Sequence, residues 1–376
     1  MKVLFTCGGT AGHINPAVAL AGMLTERDHA QVLFVGAEGG MECALVPREG
    51  YEIRTVQISS FYRSLNWNSI KHNLVTAKNL LVSPAQARRI LDDFQPDLVV
   101  GTGGYASYPV VKAAAGRGIP TAVHESNAQP GLTTKMLARQ VDKVMVGFEE
   151  CRSLYPHPER VEVTGTPVRS EFFAQNRLEA RKLLGINDQK PVVVTTWGSL
   201  GAQVMNEYMV DFVAREVAEG CPFHHIYGVG QRYYQRVLDG IARRGVRLED
   251  HPELDIREYI YDMPVVMDSA DVIMSRAGAS TIAEISAIAH PSILVPSPNV
   301  AANHQEKNAR VLSDQDAAVL MLEKDCSGDA LYDQVNRMLS DVEGLRQMGQ
   351  NLRKISVTDA NERIYNVLKG LLKEAS

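Results

Sequence analysis

Apolar runs short enough to be strands alternate with helix-length stretches along almost the whole chain. In the first half these runs lie at Lys2–Cys7, Val32–Val35, Leu98–Gly101, Thr121–His124, Lys143–Val146 and Val161–Thr164. In the second half they lie at Pro191–Thr196, His225–Gly228, Asp255–Tyr259, Asp271–Ser275, Ser292–Val295 and Ala318–Leu322. Alternation of this kind is typical of parallel sheets with helices on both faces. It predicts the α/β fold class, with two Rossmann-like domains that face each other across a cleft.

The chain of 376 residues is long enough for two such domains. We expect an N-terminal domain over residues 1–165 and a C-terminal domain over residues 166–355. Residues 356–376 hold a final helix near Asn361–Lys373, which we expect to return to the N-terminal domain.

Composition excludes several classes of protein. The formal net charge of −5 implies no general attraction to nucleic acid. The five cysteines are scattered and form no C-x-x-C motif, which argues against a disulfide framework or a zinc site and favours a reducing cytoplasm. No apolar run approaches the roughly 20 residues that span a bilayer, and we expect no signal peptide.

One segment of the N-terminal half has no acidic residue. This acid-free segment, residues 53–91, mixes basic side chains with apolar ones: Arg54, Arg63, Lys71, Lys78, Arg88 and Arg89 with Phe61, Tyr62, Leu65, Trp67, Ile70, Leu74, Leu80 and Leu81. The mixture suits an anionic membrane surface. It also suits a pair of amphipathic helices, packed on the domain, whose basic residues are solvated.

The first strand leads directly into a glycine-rich loop, Gly8-Gly9-Thr10-Ala11-Gly12-His13. Asn15 is a suitable N-cap and Pro16 a suitable first residue for the helix that follows. A strand, loop and helix in this order present backbone N–H groups to an anion. His13 lies in the loop, where the positive end of a helix dipole favours a neutral imidazole that can accept a proton.

Similar polar or glycine-rich segments follow other strands. They are Thr102–Ser107, Glu125–Asn127, Gly198–Ala202, Arg276–Thr281 and Asn303–Glu306. The Gly278–Thr281 segment can hold a pyrophosphate at a helix N-terminus, and Glu284 one turn later can accept hydrogen bonds from ribose hydroxyls. Asn303 and Gln305 can both donate to and accept from sugar hydroxyls. A nucleotide-diphosphate sugar is the ligand that these groups indicate.

Taken in order, these segments resemble the MurG-type family of bacterial peptidoglycan glycosyltransferases. The matching segments are Gly8–His13, Thr102–Tyr105, His124–Asn127, Thr166–Arg169, Gly198–Ala202, Ser275–Thr281 and Asn303–Ala309. The resemblance implies the GT-B fold and inverting transfer of N-acetylglucosamine from its UDP donor to undecaprenyl-pyrophosphoryl-N-acetylmuramyl-pentapeptide. It implies no cofactor and no metal. It also implies peripheral docking on the anionic cytoplasmic face of the cell membrane, and further partners among cell-wall synthesis proteins.

The resemblance also implies roles for individual residues. His13 is the favoured general base, with Glu125 as the other candidate. The implied donor-binding residues are Thr10, Ala11, Gly12, Asn127, Arg169, Ser199, Ile260, Ala279, Ser280, Thr281, Glu284 and Gln305. The acceptor pyrophosphate is expected to lie against Gly103, Gly104 and Tyr105.

Two alternatives remain open from the residues. One is a transferase of the same fold that acts on another lipid acceptor, such as diacylglycerol. The other is a UDP-sugar-binding subunit without catalytic activity, which would need no base such as His13.

Overall fold

The structure is a computed structural model that describes residues 1–59, 67–174, 176–300 and 303–374. For residues 67–75, 77, 78, 80 and 81 it describes the backbone alone. The chain forms two compact units. One consists of Met1–Arg169 and Val357–Ser376, and the other of Ser170–Ser356. The first expected boundary, after residue 165, lies four residues before this division.

The first unit contains a seven-stranded parallel sheet in the order β3-β2-β1-β4-β5-β6-β7. Its strands are β1 Lys2–Thr6, β2 Gln31–Ala37, β3 Glu52–Val56, β4 Leu98–Gly101, β5 Thr121–Glu125, β6 Lys143–Val146 and β7 Val161–Val163. Its helices are α1 Ala11–Asp28, α2 Glu42–Arg48, α3 Trp67–Phe94, α4 Ser107–Ala115, α5 Leu132–Leu137 and, from the C-terminus, α14 Ala360–Glu374.

Apolar residues on both faces of this sheet are buried, as a doubly wound fold requires. Leu4 of β1 lies in a core with residues of α3 and α4, whereas Val3 and Phe5 lie in a second core on the other face. That second core includes Leu20 of α1 and Leu368 of α14. The last helix therefore completes the cover of the first unit, since it packs beside α1.

The second unit contains a six-stranded parallel sheet in the order β10-β9-β8-β11-β12-β13. Its strands are β8 Val192–Thr196, β9 His224–Gly228, β10 Leu254–Arg257, β11 Val272–Ser275, β12 Ser292–Leu294 and β13 Val319–Leu320. Its helices are α6 Arg177–Leu183, α7 Gln203–Ala218, α8 Tyr234–Arg243, α9 Met263–Ser269, α10 Ala279–Ile288, α11 His304–Ser313, α12 Gly328–Ser340 and α13 Val342–Ile355.

The α/β prediction is confirmed, but the expected start of the first helix is wrong. Helix α1 begins at Ala11, with Thr10 as its extended N-cap, so Asn15 and Pro16 lie inside the helix. Pro16 therefore lies in the second turn, where it removes one backbone hydrogen-bond donor from the helix. The short strand β3 was not predicted, because its sequence Glu-Ile-Arg-Thr-Val is not an apolar run. Its polar side chains suit its position at the edge of the sheet.

The acid-free segment forms β3 and the single helix α3 within the described residues, not a pair of helices. Ala87, Ile90 and Leu91 of α3 are buried in the core, whereas Arg88 and Arg89 are exposed. The segment's other basic side chains, apart from the paired Arg54, lie outside the described residues: Arg63, Lys71 and Lys78. None of the helices in the described part of the chain is long and apolar enough to cross a bilayer.

Candidate active site

Strand order reverses once in each sheet, and four of the expected ligand loops lie at these reversals. In the first sheet the chain moves outward from β1 through β2 to β3 and then returns to β4 on the other side of β1. In the second sheet the same reversal separates β8 from β11. Open parallel sheets bind ligands at the carboxyl ends of the strands that flank such a reversal. The loops after β1, β4, β8 and β11 are therefore the candidate site loops.

His13 lies in the first turn of α1, and its imidazole is held by the loop after β1. Its Nδ1 lies 2.8 Å from the carbonyl oxygen of Gly8. Because a carbonyl can only accept, Nδ1 carries the hydrogen of this bond, and in a neutral imidazole Nε2 is then the nitrogen with the lone pair. The Thr102 hydroxyl donates to the backbone oxygen of His13 at 2.6 Å. This geometry makes Nε2 able to accept a proton.

The loop after β4 lies directly against His13 and the first glycine loop. A Cβ at Gly103 would lie 2.5 Å from Cδ2 and 2.9 Å from Nε2 of His13, and one at Gly104 would lie 2.3 Å from the oxygen of Gly8. Both residues have positive φ, +109° and +85°. Only glycine allows this close approach of backbone to imidazole. Tyr105 follows with an exposed ring.

Glu125 ends β5 and organises the turn after it. One carboxylate oxygen accepts from the backbone N and side-chain Nδ2 of Asn127, at 3.1 and 3.0 Å. The other accepts from the backbone N of Gly131 at 2.8 Å. The carboxylate is buried and engaged by three donors. This geometry suits a residue that orders the turn after β5.

Of the other expected residues in the first unit, Thr10, Ala11 and Gly12 lie next to His13, whereas Arg169 lies near Glu49. Thr10 Oγ1 lies 3.5 Å from Nδ1 of His13, and Ala11 and Gly12 form the first residues of α1. Arg169, the last residue of the first unit before the chain crosses to the second, lies 3.7 Å from Glu49 through its Nη1.

In the second unit the loop after β11 opens α10 with Gly278 as an extended N-cap. Ala279 and Ser280 are buried in the first turn, and Thr281 is partly exposed. Backbone N–H groups at such a helix start favour a phosphate group. Glu284 follows in the second turn of α10, and it is buried.

Arg276 is a structural residue of this site, and the sequence patterns assigned it no individual role. Its guanidinium donates to the carbonyl oxygens of Val295 and Pro296, each at 3.2 Å, and pairs with Glu323. These partners follow β12 and β13, so Arg276 connects three adjacent loops at the carboxyl end of the sheet. The guanidinium is therefore engaged within the protein and stabilises the loop after β11. An arginine directly after a buried strand was the sequence signal that could have indicated this role.

The loops after β8 and β9 contact each other through glycines. A Cβ at Gly201 would lie 2.4 Å from the oxygen of Val229, and Ser199 lies two residues earlier in the same loop. Ile260 is buried after β10, and its Cδ1 would lie 2.9 Å from a Cβ at Gly228.

Gln305 lies in the first turn of α11, and its side-chain oxygen accepts from the backbone N of Ser297 at 2.8 Å. This bond orients the Gln305 amide relative to the loop after β12. Within each unit, the expected residues thus collect at the carboxyl ends of the strands.

Comparison with known proteins identifies the class. The chain matches the glycosyltransferase family 28 N-terminal domain over residues 3–146 and the family's C-terminal domain over residues 192–364. The chain belongs to glycosyltransferase family 28, and its two units have the GT-B class of fold.

Individual relatives refine this assignment. The chain is 42% identical, over 99% of both chains, to the Acetivibrio thermocellus UDP-N-acetylglucosamine–N-acetylmuramyl-(pentapeptide) pyrophosphoryl-undecaprenol N-acetylglucosamine transferase. The crystal structure of Acinetobacter baumannii MurG superposes with a TM-score of 0.70 at 24% identity, covering 98% of this chain and 99% of that one. A structure of S. aureus MnaA with UDP has a TM-score of 0.69 at 15% identity, covering 99% and 97%.

Proposed function

We propose that this protein transfers N-acetylglucosamine from UDP-N-acetylglucosamine to the 4-hydroxyl of the N-acetylmuramyl group of undecaprenyl-pyrophosphoryl-N-acetylmuramyl-pentapeptide. This reaction converts lipid I to lipid II in peptidoglycan synthesis. The observation that carries the proposal is the 42% identity, over 99% of both chains, to a relative with this named activity. The glycine-held imidazole of His13 supplies a base of the kind that the reaction needs.

Transfer with inversion needs attack on the anomeric carbon from the face opposite the leaving UDP, through an oxocarbenium-like state. In this proposal Nε2 of His13 removes the proton of the acceptor hydroxyl as the new bond forms. General-base catalysis by a positioned side chain contributes about 10²–10⁴-fold in rate. The acceptor pyrophosphate lies against Gly103, Gly104 and Tyr105, beside this nitrogen.

The leaving diphosphate gains negative charge as the glycosidic bond breaks. We assign its stabilisation to the N-terminus of α10, with Ala279 N–H and the hydroxyls of Ser280 and Thr281 as donors. Fixed donors of this kind supply the charge stabilisation that a divalent ion supplies in other enzymes, so the proposed reaction needs no metal. Glu284 accepts hydrogen bonds from the ribose hydroxyls.

The remaining donor contacts follow the same assignment. The backbone of Ile260 binds the uracil edge, and Gln305 binds the N-acetylglucosamine hydroxyls. The other proposed donor contacts are Thr10, Ala11, Gly12, Asn127, Arg169 and Ser199.

The test is turnover of UDP-N-acetylglucosamine by the purified protein with three acceptors: lipid I, diacylglycerol and none. We expect product with lipid I alone, a β-linkage by proton NMR, and full activity in excess EDTA. Turnover with diacylglycerol instead would favour the other lipid transferase. UDP binding without turnover would favour a binding subunit.

We further propose that the protein acts at the cytoplasmic face of the cell membrane, held there in part by the acid-free segment. Exposed Arg88 and Arg89 supply positive charge beside residues that are buried in the core. Electrostatic binding should weaken with salt, because the Debye length falls from about 30 Å at 0.01 M to about 8 Å at 0.15 M. Co-sedimentation with anionic and neutral vesicles tests this. Equal, salt-insensitive binding to both would contradict it.

A further inference from the structure

The first glycine loop rests on a buried carboxylate that the sequence patterns did not single out. Glu42, the first residue of α2, has a side chain with no exposed surface. Its Oε1 accepts from the backbone N of Ala37 at 2.7 Å, and its Oε2 accepts from the backbone N of Gly9 at 3.1 Å. The carboxylate therefore connects the end of β2 to the loop after β1.

Three glycines surround this carboxylate, and their lack of side chains leaves the space that it occupies. A Cβ at Gly8, Gly36 or Gly40 would lie 2.4, 2.3 or 2.5 Å from an atom of the Glu42 side chain. None of these positions accepts a larger residue while Glu42 stays in place, so the glycines and the carboxylate form one packed unit.

Glu42 and His13 bind opposite ends of the same peptide group. The peptide between Gly8 and Gly9 donates its N–H to Oε2 of Glu42, while its carbonyl oxygen accepts from Nδ1 of His13 at 2.8 Å. Hydrogen bonds in such a chain polarise one another, so an acceptor with negative charge at the N–H strengthens the bond at the carbonyl. The carboxylate thus acts on the imidazole through one peptide.

We propose that Glu42 is a positioning residue that, through the Gly8–Gly9 peptide, holds His13 in the tautomer with hydrogen on Nδ1 and the lone pair on Nε2. This inference rests on the proposed function, since it assigns His13 the role of base. In the Ser-His-Asp triad a carboxylate that bonds the catalytic histidine directly has the same effect. Here the peptide group lies between them.

The Glu42→Gln variant separates this role from simple packing. The amide has one oxygen, which we expect to keep the shorter bond to Ala37, so its NH₂ group faces the N–H of Gly9. Two donors then oppose each other, and the Gly8–Gly9 peptide turns away from His13. We expect kcat to fall about tenfold, the rate equivalent of about 1.4 kcal/mol, with KM for UDP-N-acetylglucosamine changed less than about twofold.

Asp142→Asn is the matched control. Asp142 lies in the same unit, and its carboxylate accepts from the backbone N and hydroxyl of Thr121 at 2.8 and 3.0 Å, without a connection to His13 among the described contacts. We expect this variant to lose comparable thermal stability and to keep kcat.

Imidazole ¹⁵N NMR reports the tautomer of His13. If Glu42 only packed against the glycine loop, its substitution would not change this tautomer. The His13 signals are assigned by their loss in His13→Ala. We expect the Nδ1–H tautomer in the wild type and a mixture of tautomers in Glu42→Gln. An Nε2–H tautomer in the wild type, or an unchanged tautomer in a folded Glu42→Gln, would overturn the proposal. Even if the variant fails to fold, an Nε2–H tautomer in the wild-type spectrum would overturn the proposal. If the protein lacks transferase activity, the proposed function fails while the spectra still test Glu42.

Discussion

Gly103→Ala is the substitution that tests the geometry of the proposed base most directly. The added methyl carbon would lie 2.5 Å from Cδ2 and 2.9 Å from Nε2 of His13. Ordinary van der Waals contact begins near 3.4 Å, so the imidazole has to move by about 1 Å. A displacement of that size at a reacting group can cost about 100-fold in rate.

The same substitution also strains the backbone, because Gly103 has φ +109°. A side chain in the left-handed region costs roughly 1–2 kcal/mol, so the variant should remain folded with a lower Tm. Gly118→Ala is the matched control, since Gly118 has φ +71° and nothing within 4 Å of its added Cβ. That variant should show a similar backbone cost and leave His13 undisturbed.

The assay is single-turnover transfer at saturating donor and lipid acceptor, with calorimetric UDP binding measured on the same preparations. We expect Gly103→Ala to lose about 100-fold in transfer rate while its affinity for UDP stays within about twofold. Gly118→Ala should transfer at nearly the wild-type rate. If Gly103→Ala lost no more rate than Gly118→Ala, the placement of His13 against this loop would not matter for the reaction, and the reasoning would be refuted.

Three further predictions follow from single residues. His13→Ala should lower single-turnover transfer by about 10²–10⁴-fold with UDP affinity nearly intact, and a loss below about tenfold would exclude His13 as the base. Glu284→Ala should weaken calorimetric UDP binding by about 1.5–3 kcal/mol through lost ribose hydrogen bonds, and unchanged affinity in the folded variant would remove Glu284 from the donor site. Burial raises the pKa of the Asp268 carboxyl from 3.8 to about 6, so the folded state holds this proton more tightly than the unfolded state and stability is lost as pH rises through that interval. Asp268→Asn removes this titration. Its effect on the free energy of unfolding, relative to wild type, should therefore be more favourable at pH 8 than at pH 4, by on the order of 2 kcal/mol. Urea titrations that show the same effect at both pH values would contradict this.

Strand prediction succeeded where strands are buried on both faces. The bounds of β4 and β6 match the predicted Leu98–Gly101 and Lys143–Val146, because central parallel strands read as continuous apolar runs. The edge strand β3 has polar Glu52, Arg54 and Thr55 among its five residues, so it lacks the continuous apolar run that marks the central strands.

The start of α1 was predicted wrongly for a different reason. Asn15 and Pro16 are good start signals in isolation, yet the helix begins at Ala11. Its N-terminus is set by Thr10, whose backbone is extended, and by the contacts of the preceding glycine loop with Gly104. Gly8 and Gly104 are 96 positions apart in the chain, so no local pattern predicts this contact.

Local sequence determined the order of strands and helices, the glycine-rich loops at strand ends and the residue types of the candidate site. These follow from hydrophobic periodicity and from the backbone freedom of glycine, which act over a few residues. Tertiary structure alone decided which loops meet. It placed Gly103 against His13 and set Glu42 behind the Gly8–Gly9 peptide. The reason is physical: strand order brings distant loops to the same edge of a sheet, and hydrogen bonds between them depend on ångström-scale distances that sequence spacing does not encode.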